Sequence, residues 1–139
     1  MSASVSFSRR CCLHLSFSLP LALGLSACAT ITPEQSQDAL IQRFYALMAA
    51  GDFDACITLI SARNISSEQL ASFEYKLRRL LAGAKGMIDS KGGLAKVEVV
   101  ERKMSEEEQV LKLRVLVSYR DGSTRRERIN LVQEEGVWK

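Results

Sequence analysis

Four cysteines, one histidine and three tyrosines are the side chains of this 139-residue sequence best suited to covalent or proton-transfer chemistry. Cys28 closes the run Leu25-Ser26-Ala27-Cys28. A thiolate there is a good nucleophile, and the small residues before it leave the backbone open to a peptidase. Cys56 lies instead in the apolar run "ACITLI" with no basic residue close by to lower its pKa, and it reads as a small buried hydrophobe. His14 sits inside an N-terminal apolar stretch. Asp52, Asp54 and Glu74 fall on expected helices, where caps and solvated faces account for them. Tyr45, Tyr75 and Tyr119 are hydrogen-bond donors that half-buried sites use structurally. There is no glycine-rich phosphate loop, and the sequence holds no spaced cysteine pair after Cys28.

The N-terminus supplies the context for Cys28. Arg9 and Arg10 precede an apolar stretch from Cys11 to Leu25, interrupted by His14, Ser16, Ser18 and Pro20. Residues 1–27 therefore read as a secretory signal, too short and too interrupted for a spanning helix of about 20 apolar residues. Leu25-Ser26-Ala27-Cys28 resembles the bacterial lipobox. The resemblance implies cleavage before Cys28, a diacylglyceryl group on its thiol, and N-acylation with palmitate or a similar chain. At about 0.8 kcal/mol per buried methylene, these chains make a firm membrane anchor. No cofactor is implied beyond that covalent lipid. Ala29, rather than Asp, follows the cysteine. By the same resemblance this favours the outer membrane, facing the periplasm, in a Gram-negative envelope. Sec and twin-arginine export both remain open.

Removal of residues 1–27 would leave one small domain of 112 residues. Arg9 and Arg10 leave with the signal, so the formal charge falls from +3 to +1 and nothing calls for a nucleic acid. His14 leaves as well, which removes histidine-dependent nucleophilic pairs and histidine-ligated metals. With Cys28 committed to lipid, Cys56 has no disulfide partner within the chain.

The elements that must position any site fall into two halves. Thr32 and Gln35 have capping-box spacing, with Pro33 at the first helical position. Leu40, Ile41, Phe44, Leu47 and Met48 continue at helical spacing up to Gly51. Residues 28–32 thus form a lipidated cysteine and short tether, and 33–139 the domain. "GDFDACITLI" predicts a short second helix carrying Phe53, Ile57 and Ile60. Ser66 and Gln69 predict another capping box, opening a third helix with Leu70, Phe73, Leu77, Leu80, Leu81, Ala84 and Ile88 on its apolar side. Gly83 and Gly86 are expected to fray its last turns. The period then changes. A valine-rich strand covers Leu94–Met104, "SEEEQ" turns, and Leu111, Leu113, Val115, Val117 and Tyr119 alternate inward on a second strand. Asp121-Gly122 marks a hairpin, and a third strand to about Gln133 has Ile129 and Leu131 inward. Glu135-Gly136 turns into Val137-Trp138-Lys139. Helices followed by an antiparallel meander predict an α+β fold, with three to four curved strands under N-terminal helices.

The pieces "GGLAKVEVVE", "SYRDG", "INLVQEEG" and "VWK" resemble the nuclear transport factor 2-like (cystatin-like) fold. More narrowly, they resemble small bacterial lipoproteins of unknown function built on it. The resemblance implies a sheet curved around a long helix to form a cone. With the sequence stopping after Trp138-Lys139, the last strand is expected to be short and the cone more open.

That cone admits several uses. Phe44, Met48, Phe73, Tyr119 and Trp138 are candidates to line an apolar pocket for a small hydrophobic ligand, and equally to fill a small domain's core. Lys112, Arg114, Arg120, Arg126 and Arg128 are expected on the outer sheet face, with Lys103 near a turn. There they could meet anionic lipid, an envelope polymer or a protein, or be simply solvated. Enzymes of this fold, of the isomerase or hydrolase kind, need titratable groups within the cone, and the inward row of the second strand has none. The reading is a membrane-anchored, non-catalytic binding or interaction module of the cell envelope, with such an enzyme as the alternative. Its oligomeric state is open, a dimer included.

Overall fold

The computed structural model describes residues 32–139. The signal segment, Cys28 and most of the tether lie outside these residues. Three helices, α1 (Pro33–Ala50), α2 (Phe53–Thr58) and α3 (Ser67–Ser90), precede four strands, β1 (Leu94–Ser105), β2 (Val110–Tyr119), β3 (Thr124–Glu134) and β4 (Val137–Trp138). The strands form one antiparallel meander in the order β1-β2-β3-β4, curled into a half-barrel against which the helices pack.

Local chemistry explains the helix boundaries. The Gln35 amide donates to Thr32 Oγ1 at 3.3 Å and the Thr32 amide to Gln35 Oε1 at 3.0 Å, which completes the expected capping box. Gly51 ends α1 in the left-handed region at φ 82°, where its amide reaches the Leu47 and Met48 carbonyls. Asp52 caps α2 by accepting from the Ala55 amide at 3.1 Å. At α3 the expected second capping box does not form. Ser66 is the N-cap, but the Gln69 amide donates to its carbonyl rather than its hydroxyl. The fraying expected at Gly83 and Gly86 is also absent, since α3 runs unbroken for 24 residues. Good helix formers flank both glycines, and α3 docks on α1 and α2, which offsets the roughly 1 kcal/mol each glycine costs a helix.

The core follows the alternation of β2, where Leu111, Leu113, Val115, Val117 and Tyr119 are all buried. Ile41, Tyr45 and Met48 of α1, Cys56 of α2, Leu81 and Ile88 of α3 and Leu131 of β3 complete it. On β1, register shifts at Leu94/Lys96 and Val99/Glu101 interrupt the alternation. After the second shift Arg102 lies opposite Leu113, on the helix-facing side, and pairs with Asp38 of α1. At the other edge, Glu135 and Gly136 both have positive φ, as a two-residue hairpin requires, and fold β4 back on β3.

Candidate functional site

The helices do not close over the whole sheet. α3 packs on α1 and α2, and between it and β3 lies a cavity of about 880 Å³. Leu40, Phe44 and Met48 line it from α1, Leu80, Ala84 and Met87 from α3, and Ile129 and Leu131 from β3. A second hollow of about 760 Å³ separates α1 from β1 and is edged by charged residues such as Asp38, Lys96 and Glu98. The first cavity is the candidate site, because apolar walls with a few convergent polar groups are what small-molecule sites share.

Arg63, Arg79 and Lys139 stand at its rim, and its inner polar groups come from β3 and two core tyrosines. In the register of β2 with β3, Leu113 faces Ile129, Val115 faces Glu127 and Val117 faces Arg125, so Arg125 and Glu127 continue the inward row. The Tyr45 hydroxyl donates to Glu127 Oε2 at 2.5 Å, and Arg125 Nε lies 3.3 Å from Glu127 Oε1. Burial pushes the Tyr45 phenol well above its ordinary value, and the hydrogen bond and charge of Glu127 add to the shift. Tyr45 is therefore a donor that stays protonated. The Tyr119 phenol also lines the cavity and is raised, first by burial and then by the Glu127 charge. The Lys91 ammonium stands 5.1 Å from the centre of its ring.

The residues expected to line the pocket divide. Phe44, Met48 and Tyr119 do line the cavity. Phe73 does not; it sits nearly two turns into α3, where that face meets α2, and lines a separate hollow of about 280 Å³ with Ile57 and Ile60. Trp138 is a second correction. β4 pairs it with Gln133, and its side chain packs against the core rather than lining the cavity.

The expected basic face is present in part. Lys112, Arg114, Arg126 and Arg128 are exposed at the even positions of β2 and β3, but Lys112 is paired with Glu108 and Arg114 with Glu101. Arg120 departs from this row. It follows the end of β2, where its amide donates to the Gly93 carbonyl and its side chain lies over Gly93. Cys56 is fully buried, its thiol near the Phe44 carbonyl at 3.7 Å and pushed up by burial and then by Asp52. Such a thiol is inert.

Glu127 and Arg125 are the functional candidates that the sequence reading passed over. The signal for them was available: they share parity with Ile129 and Leu131, so an inward row drawn through all of β3 includes both.

A model of the family described as Domain of unknown function (DUF4878) matches residues 26–139. Among solved structures, a Campylobacter jejuni protein provisionally described as an NTF2-like transpeptidase superposes with a TM-score of 0.65. The two are 19% identical, over 72% of this chain and 92% of that one. At that identity the likeness establishes the nuclear transport factor 2-like fold and nothing about activity. No curated protein matches the chain.

Proposed function

The chain belongs to the family described as Domain of unknown function (DUF4878), and from that premise we propose that it is a lipid-anchored binding module of the bacterial envelope that holds a small apolar ligand in its cone. One observation carries this reading: the cavity between α3 and β3 has about 880 Å³ of space and walls of Leu, Phe, Met, Ile and Ala side chains. That volume falls within the roughly 300–1,000 Å³ of ordinary ligand sites. The anchor rests on Leu25-Ser26-Ala27-Cys28. Native mass spectrometry of the protein isolated from its own host tests the cavity. A reproducible bound mass is expected, and a clean apo mass after gentle isolation overturns the reading. For the anchor, Cys28→Ala is expected to abolish palmitate labelling; normal labelling of that variant sinks it.

The Tyr45–Glu127 pair favours a second reading, an enzyme with its active site in the cone, because a carboxylate and a phenol there are the parts acid–base chemistry needs. The bonds that both groups already make argue for binding first. The Glu127 carboxylate already accepts from Tyr45 and pairs with Arg125, and the Tyr45 phenol is held in its protonated form. Acyl transfer of the kind in the Campylobacter protein's name needs a nucleophile. Cys56, buried in the core, does not supply one, and Ser61 at the cavity's other end is bonded to Glu134. Turnover abolished by Glu127→Gln would favour the enzyme.

A further inference from the structure

The charges around the cavity are unbalanced. Arg63, Arg79, Arg125, Arg128 and Lys139 all line it, against Glu127 as its sole acid among the described residues. Two of the cations are already neutralised, Arg125 by Glu127 at 3.3 Å and Lys139 by Glu134 at 3.6 Å. Arg63 and Arg79 have no ion-pair partner among the described residues, although they come from two separate segments, the loop after α2 and helix α3. Arg128 borders the cavity from the even-numbered row of β3, opposite Arg114, so its side chain belongs to the outer sheet face and not to this rim. The chain thus brings uncompensated guanidinium groups to the rim of an apolar cavity, where focused positive potential favours an anion.

We propose that the cavity takes an anionic single-chain amphiphile, its apolar chain between α3 and β3 and its acidic head, a carboxylate or a phosphate, on Arg63 and Arg79. This rests on the apolar-ligand reading above and deepens it by naming the head group. Guanidinium suits the task because its planar fork meets a carboxylate or phosphate with two parallel charge-assisted bonds. The apolar side is equally specific. Leu80 stands 70% exposed beside Arg79 on α3, while Ala84 and Met87 continue its face into the cavity, so the greasy wall begins at the basic rim. A cationic head finds no free acid there, because Glu127 is already held by Tyr45 and Arg125.

A head-group series tests this on the full chain in phosphatidylcholine vesicles. Hexadecanoic acid, hexadecanol, hexadecylamine and hexadecyl phosphate, each with a photoactivatable diazirine in its chain, are irradiated with the protein. Labelling of the peptides holding Phe44–Met48 and Leu80–Met87 is normalised to labelling of the vesicle lipid. The carboxylate or the phosphate is expected to label these peptides about tenfold more than the alcohol, and the amine least. Whichever of the two is stronger identifies the head. Arg63→Gln with Arg79→Gln is expected to bring the acid-to-alcohol ratio close to one. Equal labelling by acid and alcohol probes, a preference for the amine, or an unchanged ratio in the double variant overturns the head-group assignment while leaving an apolar site standing. No labelling of these peptides by any probe overturns both.

Discussion

β2 and β3 are neighbours of nearly equal length, yet their inward rows differ in kind. β2 presents Leu111, Leu113, Val115, Val117 and Tyr119, each no more than 6% exposed. β3 presents Leu131 buried, Ile129 and Glu127 half-buried and Arg125 exposed. β2 is flanked by β1 and β3 along its length, whereas β3 has β4 and Lys139 beside it only near its C-terminal end. The strand with two neighbours along its length has no room for a charged group on its inward row. The strand at the open edge, next to a cavity, can hold an arginine and a glutamate without stranding them. Scaffold and site are separated by a single strand spacing.

The largest effect that tests this contrast comes from truncating the same kind of side chain on each strand. Leu113→Ala leaves a cavity in a closed core and is expected to cost about 2–5 kcal/mol. Ile129→Ala, on a residue that already faces open space, is expected to cost about 1–2 kcal/mol, since part of its surface is never removed from water. Urea unfolding of both variants measures the pair. Equal losses would mean that the cavity beside β3 is closed in solution.

A smaller effect addresses the polar end. Glu127→Ala leaves the Tyr45 hydroxyl buried without its acceptor, an expected loss of about 1–3 kcal/mol. Tyr45→Phe removes donor and need together and is expected to cost about 1 kcal/mol. The reverse order would show that water in the cavity satisfies the phenol. Burial of that phenol, helped by the bond, also sets the alkaline limit. The folded state holds the Tyr45 proton above the ordinary phenol value near 10, so the unfolded chain loses its proton first. Stability is therefore whole below pH 10 and falls as pH rises beyond it. Tyr119, raised in the same direction, adds to the slope. Tyr45→Phe is expected to leave only the shallower Tyr119 share in alkaline denaturation curves, and an undiminished slope would remove Tyr45 from that account.

The contrast between the two strands also explains what was legible in the sequence. Alternation on β2 is written in valines and leucines, so the strand, its inward face and its hairpin partners could be read directly, as could the Thr32–Gln35 cap and the helix-then-sheet order. β3 breaks the apolar code where it borders the cavity, and an inward row recognised by hydrophobicity stops at Ile129. Arg125 and Glu127 were hidden because their polarity marks them as surface residues until the gap beside them is known. Trp138 and Phe73 failed for the complementary reason. An aromatic residue announces burial but not which hollow it borders, and that depends on how α3 leans on α2, a long-range feature with no local signal.

The smallest expected effect places the boundary of the site on α3 itself. Gly83 and Gly86 are both helical and exposed, and a methyl group at either would meet no heavy atom within 4 Å. Alanine at each is therefore expected to stabilise the fold by roughly 0.5–1 kcal/mol, through helix propensity alone, and to raise the melting temperature by a few degrees. Only Gly83 lines the cavity opposite β3. Gly83→Ala narrows that space while Gly86→Ala leaves it, so native mass spectrometry should find less bound ligand in the first variant and unchanged occupancy in the second, at equal gains in melting temperature. Equal occupancy in both would move the ligand away from the middle of α3, toward the β3 end where Tyr45 and Glu127 meet.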